Sequence, residues 1–229
     1  MILPLLMPRR IVVRGPEARL PPVVIYTDAR YEPTAARPAE IGVVIYDPVD
    51  KEAGGVPTWR YTSADVPQVM MQRFVARQQY IGQLEVLAAV AAYTSRPEQL
   101  RGRDVIHFID NTGALFGLAK GYSGDLDSAR LIHVFHTVLA AVGANPWMEF
   151  VASGANIADQ PSRDEFALLR ELGAVYFEVG WPPIGGEWSQ VFKDVFRSLA
   201  PRLTASRKRA RDEVLRAADS LAAKRRAAL

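Results

Sequence analysis

Four carboxylates in this chain stand where a carboxylate is costly or well aimed. Asp28 and Asp110 each follow an apolar, β-branched run, Val23-Val-Ile-Tyr26 and Val105-Ile-His-Phe-Ile109. Each therefore reads as an acid at the end of a buried strand. Glu85 has Ile81, Gly82, Ala88 and Ala89 at helical spacing, so it sits on an apolar helix face with nothing nearby to pair its charge. Asp159 falls in the first turn of a helix expected from Asn156. Side chains at the carboxyl ends of parallel strands point into the crevice where α/β sheets bind ligands. A carboxylate on an apolar face needs a neutralising partner. If the two strands are neighbours, the four acids converge, and their repulsion is relieved by divalent cations between them. Mg²⁺ suits such a site, because it takes oxygen ligands and keeps waters, and Mn²⁺ is the substitute. Two ions ~4 Å apart can activate water and stabilise the leaving oxygen of a phosphodiester. Two alternatives stay open: Asp110 as the cap of a helix over 111–119, and Asp164 or Glu165 as the fourth acid.

Strands are expected at Val23 to Tyr26, Ile41 to Tyr46 and Thr58 to Thr62, joined by short polar segments as an antiparallel meander. Gln68 to Tyr93 reads as a helix, Val105 to Ile109 as a strand, and Leu126 to Val142 as a helix of mixed apolar spacing. Trp147 to Ala152 is the fifth strand, and Val191 to Leu199 a late helix. The order βββαβαα(β)α predicts an α/β domain of about five strands with helices on its faces. Domain organisation is expected as an extended lead-in over 1–22, a domain over 23–170, a packed irregular and helical extension over 171–200, and a basic helical or disordered tail over 201–229.

The segments YTDAR, IGQLEVLAAVAA, HFIDNTGAL and ANIADQPSR, in that order and at compatible spacing, resemble the ribonuclease H domain attached to the reverse transcriptases of retroelements. The resemblance covers residues 23 to about 170. It implies a ribonuclease H-like fold, a five-stranded mixed sheet of antiparallel meander plus parallel strands flanked by helices. It further implies that Asp28, Glu85, Asp110 and Asp159 bind the metal ions, that the RNA strand of an RNA–DNA hybrid is the substrate, and that a reverse transcriptase domain works beside it. Asn111 and Gln83, polar and near the acids, are candidate substrate contacts, with helix capping and solvent exposure as the alternatives. The loop Val151-Ala-Ser-Gly-Ala155 lacks the histidine that many members carry before the last acid. A different class of reading is a ribonuclease H-like module that binds nucleic acid or serves structure without catalysis. A 3′ to 5′ exonuclease on the same fold is disfavoured, since those enzymes usually carry a second acid two residues beyond the first, where this chain has Arg30.

Composition narrows the field further. Absence of cysteine excludes disulfides and thiolate zinc sites, and with three histidines any metal is held mainly by oxygen. The longest apolar run, Val86 to Tyr93, is far short of the ~20 residues of a membrane span. The apolar start, with Pro4 inside it and Arg9-Arg10 after it, makes a poor signal peptide, so an intracellular protein without membrane contact is expected. Residues 1–22 carry four Arg against one Glu, and residues 201–229 nine Lys or Arg against three acids; the middle is acidic although the net charge is +3. Basic ends point to a polyanionic partner, and Arg207, Lys208 and Arg209 are candidate phosphate contacts beside a nuclear-import or purely solvated reading. His133 and His136 lack a third ligand and read as surface or packing residues, His107 as structural, and Trp59, Trp147 and Trp181 as core. Nothing in the sequence speaks to oligomeric state.

Overall fold

A computed structural model describes residues 20–184 and 188–199. Its centre is a six-stranded sheet. β1 (Val23–Tyr31), β2 (Ala39–Asp50) and β3 (Val56–Asp65) form the expected antiparallel meander. β4 (Asp104–Ile109) lies parallel to β1, and β5 (Asn145–Phe150) parallel to β4. The sixth strand, β6 (Val175–Tyr176), runs parallel to β3, giving the order β5-β4-β1-β2-β3-β6. This last strand is two residues long, too short to leave a periodic pattern. Antiparallel meander plus parallel strands, flanked by helices, is the mixed sheet that the resemblance implied, with one strand more.

Alternation along β2 shows how the sheet separates two layers: Ile41, Val43 and Ile45 face the large core, while Val44 faces a smaller cluster on the other side. The large core is built on α2 (Ile81–Ser95), which packs on β1 and β2 and against α5 (Leu126–Val142). Every α2 residue from Gln83 to Tyr93 is buried. Glu85 therefore stands in a helix covered on all sides, not on one apolar face. Ala88, Ala89, Ala91 and Ala92 let sheet and helices approach closely, while fully buried Leu84 and Leu87 each add about 1.5–3 kcal/mol of burial. α4 (Thr112–Lys120) packs against α2 and α5, and α8 (Trp188–Leu199) against α5. The described part of the expected extension joins this core through Phe177, Ile184, Val191 and Val195.

Three expectations change. The helix expected over Gln68 to Tyr93 is broken into α1 (Gln68–Met71) and α2, with 72–80 irregular between them. There the Val75 N–H and the Arg77 guanidinium bond the carboxylate of Asp127, and Arg77 also bonds Asp125. Tertiary anchors of this kind outweigh helix propensity. The helix expected from Asn156 starts later, as α6 (Asp159–Ser162), and the Asn156 side chain donates to the Thr27 carbonyl of β1. Trp147 is 68% exposed on β5, an edge strand, and is not core. His107, by contrast, is wholly buried between Thr27 Oγ1 (2.9 Å) and Tyr93 Oη (3.4 Å), and burial pushes its pKa down to about 3. α3 (Pro97–Leu100) links α2 to β4, and α7 (Ala167–Glu171) places Leu169 in the smaller cluster with Val44. Among the described residues no helix is long and apolar enough to cross a membrane.

Candidate active site

Asp28 is not at a strand end, as its local sequence suggested. β2 pairs with β1 through Tyr31, so the strand runs past Thr27-Asp-Ala-Arg30. What ends at this level is the neighbour: β4 stops at Ile109, opposite Thr27, and Asp110 is the next residue. The register thus brings Asp28 and Asp110 side by side. Asn111, not Asp110, caps α4, its side chain accepting the Ala114 N–H at 3.0 Å. Asp110 is thereby left without a capping role. Beyond the end of β4, the Ala29 N–H bonds the carboxylate of Glu85, which reaches this gap from α2.

Asp28, Glu85 and Asp110 each offer a carboxylate oxygen such that the three lie within 4.8 Å of one another. Asp28 and Glu85 are each 4% exposed. Burial, followed by the neighbouring carboxylates, pushes Glu85 up to about 9. Burial likewise raises Asp28 to about 7, opposed by a hydrogen bond from Ser162. Glu85 Oε2 is buried and has no hydrogen-bond partner. A buried carboxylate with an orphan oxygen, grouped with two more carboxylates, is a poor arrangement for protein alone, and it fits a hard cation with oxygen ligands.

Asp159 is placed differently. It begins α6 and acts electrostatically on Asp28 and Glu85, but its Oδ1 accepts from Arg163 Nε at 2.7 Å and it is not one of the three convergent groups. Of its rivals, Asp164 is held by Arg37 at 2.5 Å in a left-handed backbone conformation (φ 60°), and the Glu165 N–H bonds the Gln160 carbonyl. Gln83 is buried, its amide donating to Asp125 Oδ1 at 2.9 Å and tying α2 to the start of α5. Arg207, Lys208 and Arg209 lie outside the described residues. His136 bonds the Leu118 carbonyl at 3.1 Å, joining α5 to α4.

Three residues that sequence reasoning missed hold this site together. Ser162, fully buried, donates from Oγ to Asp28 Oδ2 at 2.5 Å. Asn156 donates to the Thr27 carbonyl at 3.0 Å and accepts from the Ala158 N–H, fixing the chain before α6 against β1. Gly42, the cross-strand partner of Asp28, leaves the space α6 occupies: a Cβ there would meet the Ala158 carbonyl oxygen at 2.3 Å and the Ser162 nitrogen at 2.8 Å. A glycine inside a β-branched strand was the available signal, since it marks close backbone approach.

No protein-family model matches this chain, and no curated protein sequence does. Among solved structures, it is similar to the N-terminal RNase H domain of a Mycobacterium tuberculosis protein, solved as a fusion with maltose binding protein. That likeness has a TM-score of 0.44 and 16% identity, and covers 66% of this chain and 98% of that one. RNase H1 from Halobacterium salinarum gives a TM-score of 0.43 at 18% identity, covering 63% and 99%. Prototype foamy virus protease–reverse transcriptase gives 0.38 at 11%, over 66% of this chain and 21% of that longer one. The strand order β5-β4-β1-β2-β3-β6 and its register define the fold.

Proposed function

We propose that this protein is a divalent-cation-dependent endonuclease of the ribonuclease H type that cuts the RNA strand of RNA–DNA hybrids. The observation that carries the proposal is the convergence of Asp28, Glu85 and Asp110 from β1, α2 and the end of β4, with an orphan oxygen on Glu85. These three residues would hold one ion, and Asp159 with Asp28 a second, Mg²⁺ being the expected occupant. Bound there, the ions would supply water activation and stabilisation of the leaving oxygen. The protein's own part is to keep these acids close despite their repulsion. Ser162 and the Ala29 N–H orient two of them by hydrogen bonds, and the buried walls strengthen every charge interaction at the centre. Residues 23–170 are the proposed catalytic domain, working beside a reverse transcriptase, with 2′-hydroxyl contacts selecting the RNA strand.

The test is cleavage of a labelled RNA–DNA hybrid with Mg²⁺, comparing the full chain with Asp110→Asn. The wild type should cut the RNA strand alone and the variant should be slower by about a hundredfold or more. Two equally inactive proteins that still bind the hybrid would replace this reading with that of a non-catalytic module.

A further inference from the structure

Asp159 stands apart from the other three acids, and its partner accounts for its charge. Arg163 is one helical turn further on and holds Asp159 Oδ1 at 2.7 Å; the two side chains are 53% and 33% exposed, at the rim of a centre whose Asp28 and Glu85 are buried. Reach matters here as much as contact. Arg163 acts on Asp28 as well, so its charge is felt inside the nest. A guanidinium keeps its charge at any working pH. Neighbouring anchors fix the backbone that carries it: Ser162 is tied to Asp28, and Asp164 to Arg37, on either side of Arg163.

We infer that Arg163 is a built-in counter-ion that competes with the second divalent cation for Asp159. The site then takes one ion readily at Asp28, Glu85 and Asp110. The other binds weakly while the guanidinium holds Asp159, and tightly once it is drawn off. A backbone phosphate is the group suited to draw it, since guanidinium and phosphate pair through two parallel hydrogen bonds. Cation loading is thereby coupled to the arrival of a nucleic acid. This rests on the cation-dependent nuclease reading proposed above.

The experiment is titration of the full chain, free of nucleic acid, with Mg²⁺ by calorimetry and with Mn²⁺ by electron paramagnetic resonance. Wild type, Arg163→Gln, Arg163→Lys and Asp110→Asn are compared. Wild type should show one tighter and one weaker ion. Arg163→Gln should bind the weaker ion about tenfold more tightly, as expected when one nearby positive charge is removed, with the tighter ion unchanged. Arg163→Lys keeps the charge and should stay close to wild type. Arg163→Gln with second-ion binding unchanged or weakened overturns the inference, as does Arg163→Lys behaving like Arg163→Gln. A wild type that binds no divalent ion, indistinguishable from Asp110→Asn, brings down the nuclease reading itself. Ion binding by wild type that is insensitive to Arg163→Gln removes only the counter-ion role.

Discussion

At the scale of single residues, the centre combines two buried carboxylates that resist ionising. Asp28 is raised from 3.8 to about 7 and Glu85 from 4.5 to about 9, burial being the first cause of each. Asp28 acts on Glu85, and Asp110, Asp159, Arg163, Ser162 and the Ala29 N–H act on one or both of them. Both folded values lie above the unfolded ones, so the native state binds more protons and its stability falls as pH rises. The window runs from the unfolded values near 4 to the folded value of Glu85 near 9. Melting temperature in a chelating buffer should decline across that window, and added Mg²⁺ should restore it at the alkaline end. A profile that is flat, or that Mg²⁺ leaves untouched, would contradict the proposed ion site.

At the scale of elements, α6 is a four-residue helix with little stability of its own, yet it carries both Ser162 and Asp159. Its seat is Gly42. The extra methyl of Gly42→Ala would press on two backbone atoms, Ala158 O and Ser162 N, and neither can turn aside as a side-chain tip could. Overpacking of this kind costs about 1–3 kcal/mol. Urea unfolding should show that loss, and Mn²⁺ affinity should weaken with it because Ser162 is pushed away from Asp28. Full stability with unchanged ion binding would mean that α6 does not position the site. Arg37 adds a second tether, bonding Asp65 and Asp164 at 2.5 Å each and Glu40 at 2.6 Å, which joins the chain after α6 to β2 and β3.

Across the whole molecule, the candidate site and a major stabilising pair occupy opposite ends of β4. Arg103 precedes that strand and Asp110 follows it. Arg103 is 7% exposed and Asp47 1%; they meet at 2.9 Å, and Arg103 also holds the Pro21 carbonyl. Removing one partner of a buried pair leaves an uncompensated charge and costs about 3–5 kcal/mol. Arg103→Ala should therefore lower the urea midpoint markedly while the number of Mn²⁺ ions bound to the remaining folded protein stays the same. Loss of ion binding in protein that is still folded would show that the two ends are not independent.

Much of this was legible locally. The meander, the bounds of the helix Leu126–Val142 and the order of the four acids follow from apolar period and from polar residues at element ends, which are properties of neighbouring positions. Other features depend on how distant segments meet. Thr27 pairs with Ile109, and that register, not any local strand end, sets Asp28 beside Asp110. The break in the helix before Ile81 depends on Asp127, some fifty residues later, and the place of Asp159 on a close approach that only Gly42 permits. Local pattern decides which face of an element is buried. The order of the sheet and the packing of α6 on it decide which acids share one space, because Coulomb repulsion and desolvation act through space and not along the chain.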